Sequence, residues 1–214
     1  MSGVDIVSMI ADERRRMAEL IESLQPGQLR ARSLCAAWTV HEVAAHLCAP
    51  WTLSLRRAAP ALLRNGFRVH RANAEMVREL AADLTADEIG RELRAHAEFS
   101  LAPPVVGPLG QLTDLQVHGQ DIRRPLGLAR ELVPERVRLS LEFLASPKAR
   151  GSFVPRGRLE GLRFIATDVA WEHGWGLTVR GTGEALLLAL TGRPVVLDEL
   201  DGSGVAALRA RIAG

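Results

Sequence analysis

The sequence predicts a mainly α chain, with an up-and-down helical bundle over residues 1–150 followed by a small α+β C-terminal domain over residues 151–214. Three observations carry that expectation. Apolar residues recur at helical spacing through the first part of the chain. Prolines and glycines cut that stretch into segments of bundle-helix length. After about residue 150 the texture changes to β-favouring runs punctuated by glycine.

The first helix spans about residues 3–24, where Val7, Ile10, Met17, Leu20 and Ile21 share a face and Pro26-Gly27 ends the segment. Thr39 is the N-cap of a second helix through Val43, Ala44 and Leu47. Pro50 kinks or divides it before a Leu-rich stretch that stops at Asn65-Gly66. Residues 71–83 and 86–98 form two short amphipathic helices, the latter capped by Thr85. SLAPPVVGP reads as a loop. A helix over about 108–124 follows, then PERVRLSLEFLAS with Pro134 in its first turn. In the second part, GRLEGLRFIATD and WGLTVRG carry strands, and GEALLLALTG and GVAALRARI carry helices.

The chain has 214 residues, 47% hydrophobic and 24% charged, the balance of a globular protein rather than a disordered one. No apolar run approaches the roughly 18–20 residues that cross a bilayer, and the opening MSGVDIVSMIADERRRMAEL has no uninterrupted apolar core of a secretory signal. The expectation is a cytoplasmic protein with no membrane partner. Lys148 is the sole lysine, an arginine excess that a GC-rich genome produces. The arginines are interleaved with acids at a net charge of only +2, so no nucleic-acid partner is expected. Cys35 and Cys48 are too few for a disulfide scaffold and read as buried thiols. Tyrosine is absent, which removes one common general acid.

Of the six histidines, the informative ones are those that can point the same way. Asp114 and His118 in DLQVHGQD are four residues apart, one helical turn, so a carboxylate and an imidazole can reach a single ion. His41 and His46 in HEVAAHL are five apart, roughly 140° around a helix at 100° per residue. They do not share an ion, and the segment is not the HExxH helix of zinc proteases. Only one of them can join the Asp114/His118 pair. His46 lies among alanines and leucines and faces inward, whereas His41, in the first turn, is expected to be exposed. From spacing alone, a core histidine beside a solvated Asp/His face accounts for the pattern better than a metal site does.

The order of features resembles the DinB-like metal-binding bundle, a four-helix arrangement, and within it the mycothiol-dependent maleylpyruvate isomerase family of actinobacteria. The likeness rests on WTVHEVAAHL, on DLQVHGQDIRRPLG, and on ATDVAWEHGWGLTVRGTGEALLLALTGR, the last similar to the family's small second domain. The resemblance implies a divalent metal, usually zinc, held by His46, Asp114 and His118, with positions open for a ligand. It implies a metal-dependent thiol enzyme in which the metal activates mycothiol, a small-molecule thiol, against an electrophilic substrate for isomerisation or S-transfer. One departure stands out: the isomerase that names the family resembles Glu-xxx-His at the second position, where this chain has Asp114. The alternative is therefore a metal-binding protein or sensor without turnover, and a third reading is a structural bundle with inert histidines. Two His and one carboxylate also suit nickel, iron or manganese.

Asp121 is a candidate to orient a ligand histidine from behind, or else an exposed helix acid beside Arg123 and Arg124. Arg123, Arg124, Arg180 and Arg193 are candidates to hold carboxylates of cofactor or substrate, against a surface role for each. Trp38 and Trp51 read as bulk packing around the His46 helix. His70, His96 and His173 have no partner at useful spacing. A monomer or homodimer is expected.

Overall fold

The computed structural model describes residues 5–52, 55–66, 68–99, 107–130 and 132–213, without the side chains of residues 55–58, 69 and 70. The elements in chain order are α1 (Ile6–Ser23), α2 (Pro26–Leu29), α3 (Val40–His46), α4 (Ala49–Thr52), α5 (Leu55–Arg64), α6 (Val69–Asp83), α7 (Ala86–Ala95), α8 (Gly107–Arg123), α9 (Pro134–Ala145), β1 (Leu162–Ala166), β2 (Glu172–Gly174), β3 (Leu177–Gly181), α10 (Gly183–Leu190) and α11 (Val205–Ala213). The chain is mainly helical with one small sheet among the described residues, as the sequence predicts. Most of the loop expected at SLAPPVVGP lies outside the described residues. Contacts divide the chain into two compact units, residues 1–102 with 118–130, and residues 103–117 with 131–214. This grouping differs from a cut at residue 150, because α9 packs on α10.

In the first unit α1 packs on α7, and α6 takes both α3 and α5. The helix starts follow local chemistry. Thr39 and Thr85 each accept a hydrogen bond from the N–H three residues on, while Glu42 and Glu88 reach back to the cap N–H. Pro50 lies in the first turn of α4, just after the break that ends α3 at His46. Pro26-Gly27, expected only as a stop, opens a single further turn, across which Gln28 Oε1 accepts from the Gln25 N–H at 2.8 Å. Ile10, Met17 and Ile21 of α1, Val43 and Ala44 of α3, and Ile89 and Leu93 of α7 form the buried faces.

Arg14 is a charged residue inside that core, 2% exposed. Its Nη1 donates to the carbonyls of His96, Ala97 and Phe99 at 3.0, 2.9 and 2.7 Å, just past the end of α7. Its guanidinium lies 5.3 Å from the Trp51 ring centroid. Burial pushes this guanidinium down to about 10, which leaves it protonated at neutral pH. The turn that follows α7 thus receives a charged donor for three of its carbonyls. Cys48 is buried as expected, and burial, helped by the Glu92 carboxylate, pushes its thiol up to about 12. Cys35 is only half-buried.

The second unit is built on α10, all eight of whose residues are buried. Phe164, Leu162 and Val179 of the sheet, and Leu141 and Leu144 of α9, share its core cluster. The strand order is β2-β1-β3, antiparallel then parallel. The three-residue β2 was not foreseen. To place β2 and β3 on opposite sides of β1, the chain swings across its start within Trp175-Gly176. A Cβ on Gly174 would meet the Leu162 carbonyl oxygen at 2.3 Å, and one on Gly176 the Gly161 carbonyl oxygen at 2.3 Å. Both have positive φ, 83° and 108°, so glycine is needed for space and for conformation alike. The swing leaves Trp175 78% exposed.

Candidate metal centre

His46 is the last residue of α3, seven residues after the Thr39 cap that sets the helix in register. Asp114 and His118 lie one turn apart on α8. His46, Asp114 and His118 each offer a ligand atom, and these atoms all lie within 4.8 Å of one another. The imidazoles of His46 and His118 meet edge to face at 4.9 Å between centroids. Two nitrogens and one carboxylate oxygen at this separation fit a borderline divalent ion, which contracts such donors to about 2.0–2.2 Å from itself. His118 is 7% exposed and Asp121 fully buried, and His118 Nδ1 lies 2.8 Å from Asp121 Oδ2. With the proton on Nδ1, this contact leaves Nε2 as the lone-pair atom.

The surroundings of α8 explain why its pattern is unusual. Every residue from Leu115 to Arg123 is buried, among them Gln116, His118, Gln120, Asp121 and Arg123. Asp121 is therefore no exposed helix acid. Trp38 packs against both imidazoles, with ring centroids 4.9 Å from His46 and 6.1 Å from His118. The loop that carries it is tied to α8, because the Leu34 N–H donates to the Asp121 carbonyl at 3.1 Å.

The other sequence candidates lie elsewhere. His41 is not exposed but half-buried, with Nε2 3.0 Å from the Ala81 carbonyl oxygen. His96 does have a partner at useful spacing: Glu92, one turn earlier, whose backbone carbonyl lies 3.1 Å from Nδ1. It also stacks on Trp51 at 4.8 Å, and the Trp51 indole N–H donates to Glu92 Oε2 at 3.0 Å. His173 stacks on Trp171 at 6.3 Å, and the side chain of His70 lies outside the described residues. Arg123 is buried with Nη1 3.7 Å from Met17 Sδ, and Arg180 is exposed on β3. Arg193 Nη1 donates to the Thr191 carbonyl at 2.7 Å.

A helical bundle that gathers two imidazoles and a carboxylate within reach of one ion defines a protein with a possible metal centre. Residues 10–123, slightly more than half of the chain, match the family described as mycothiol maleylpyruvate isomerase N-terminal domain. The chain belongs to that family. No curated protein and no solved structure matches it. Among the described residues no helix is long and apolar enough to cross a membrane.

Proposed function

We propose that the chain is a divalent-metal-dependent thiol enzyme using zinc and a small-molecule thiol, mycothiol, for isomerisation or S-transfer on an electrophilic substrate. The observation that supports this most is the convergence of His46, Asp114 and His118 donor atoms within 4.8 Å, in a chain of this family. An ion held by three protein ligands supplies a Lewis acid that lowers the pKa of a thiol presented at its open position. In this reading His46 and His118 give imidazole nitrogens and Asp114 a carboxylate oxygen. Asp121 fixes the His118 ring by accepting from Nδ1. Arg123 and Arg180 are proposed to meet carboxylates of cofactor or substrate, for which the guanidinium fork is suited. Isomerisation then needs addition of the thiol to a cis double bond, rotation about the new single bond and expulsion of the same thiol. S-transfer needs one C–S bond made as a leaving group departs.

The shorter Asp114 in place of the family's Glu favours a second reading, a metal-binding protein or sensor without turnover. Mixing zinc-loaded protein with mycothiol and a chlorobimane probe separates the two. The enzyme reading expects the fluorescent thioether to form, with chloride released, well above the rate of metal-stripped protein; equal rates would favour the sensor. Replacement of Asp121 by alanine is expected to lower zinc affinity by about 10–100-fold, measured by competition with a chromophoric chelator.

A further inference from the structure

Trp38 is 6% exposed, and its indole Nε1 is buried with no hydrogen-bond acceptor among the described residues. Native proteins seldom leave a buried donor in that condition, and indole N–H can only donate. The other tryptophan of this region is not so placed: Trp51 Nε1 donates to Glu92. Nor is Trp38 loosely held. Its backbone N–H donates to the Cys35 carbonyl at 2.9 Å, and its backbone carbonyl accepts from the Ser33 N–H and hydroxyl at 3.2 and 2.8 Å. The neighbouring Thr39 is locked in the α3 capping box. This well-built loop presses the indole onto both candidate ligand imidazoles. An acceptor beside those two rings and foreign to the described chain is what an incoming ligand at the centre provides.

We propose that Trp38 is a positioning residue whose Nε1–H donates to the sulfur of a small thiol entering the centre. The inference rests on the metal-and-thiol reading above. A thiolate is a charge-bearing acceptor, so the bond is charge-assisted and strongest for the ionised form. No bond in the protein is made or broken.

The test uses the full chain loaded with cobalt(II) and titrated with 2-mercaptoethanol, read by the thiolate-to-cobalt absorption. Trp38→Phe keeps an aromatic ring against the imidazoles and removes the donor. The expected result is equal cobalt content in both proteins and thiol binding about tenfold weaker in the variant. In zinc-loaded, 15N-labelled wild type, the Trp38 indole N–H resonance should move downfield when 2-mercaptoethanol is added. Equal thiol affinity at full cobalt content, or a resonance that stays in place, would overturn the role of Trp38 and leave the metal reading standing. A wild type that takes up no cobalt, or binds no thiol once loaded, would overturn the reading beneath it as well. If Trp38→Phe does not fold, the resonance is assigned by replacing Trp51, Trp171 and Trp175 in turn, and the wild-type shift alone decides.

Discussion

Replacing His46 by alanine is expected to abolish stoichiometric metal binding while the helical bundle stays folded. Structural zinc held by four protein ligands is bound by roughly 10–16 kcal/mol, so one ligand is worth about 3 kcal/mol, or about a hundredfold in affinity. His46 is only half-buried at the last turn of α3, so its removal leaves no large cavity. The measurement is metal content of protein purified without a nickel column, together with thermal melting. An ion that binds only the folded state raises the wild-type melting temperature, and a chelator should lower it again. In His46→Ala the chelator should make no difference. Retention of a full equivalent of metal in both His46→Ala and His118→Ala would show that the ligands lie elsewhere. His118→Ala should in addition cost stability without metal, because it removes a 2.8 Å hydrogen-bond partner of the fully buried Asp121 carboxylate.

The second large effect concerns two neighbouring arginines of α1. Arg14→Leu is expected to destabilise the protein by about 3 kcal/mol, since the carbonyls of His96, Ala97 and Phe99 lose a charged donor in a buried place. Relief from burying the charge offsets part of the loss and keeps the figure from being larger. Arg15→Ala, one position on, removes a 3.0 Å ion pair to Glu98 whose side chains are 48% and 78% exposed. That change should cost about 0.5 kcal/mol or less. Urea unfolding of the two variants makes the comparison. A midpoint for Arg14→Leu within error of that for Arg15→Ala would show that water replaces the guanidinium at the end of α7.

Where sequence and structure agree, the reason is local. The N-caps at Thr39 and Thr85 and the break at Pro50 depend on residues three or four apart and are legible in the sequence, and the structure completes each cap with a glutamate that reaches back. The one-turn spacing of Asp114 and His118 was legible for the same reason. Asp121 was not, because an acid among arginines looks solvated until the whole turn around it is buried. α8 as a whole hides its role: with buried glutamines, an aspartate and an arginine, it has no apolar stripe to count. β2 is too short to show a period, and it exists because Gly174 and Gly176 let the chain fold across β1. The choice of His46 over His41 came from its apolar neighbours and from family resemblance. Spacing alone said only that one of them had to be left out. His96 shows the converse: its partner Glu92 stands one turn earlier on the same helix, a spacing visible in the sequence.

The position of Trp38 has an optical consequence. With no tyrosine in the chain, the near-ultraviolet absorption and emission come almost wholly from four tryptophans. Trp175 is 78% exposed, open to an aqueous quencher such as iodide, whereas Trp38 is 6% exposed and in ring contact with two imidazoles. Iodide therefore silences the former and spares the latter. The emission that survives comes in part from an indole touching the rings that an arriving ion would reorganise, so the chain carries an intrinsic fluorophore for occupancy of its own centre.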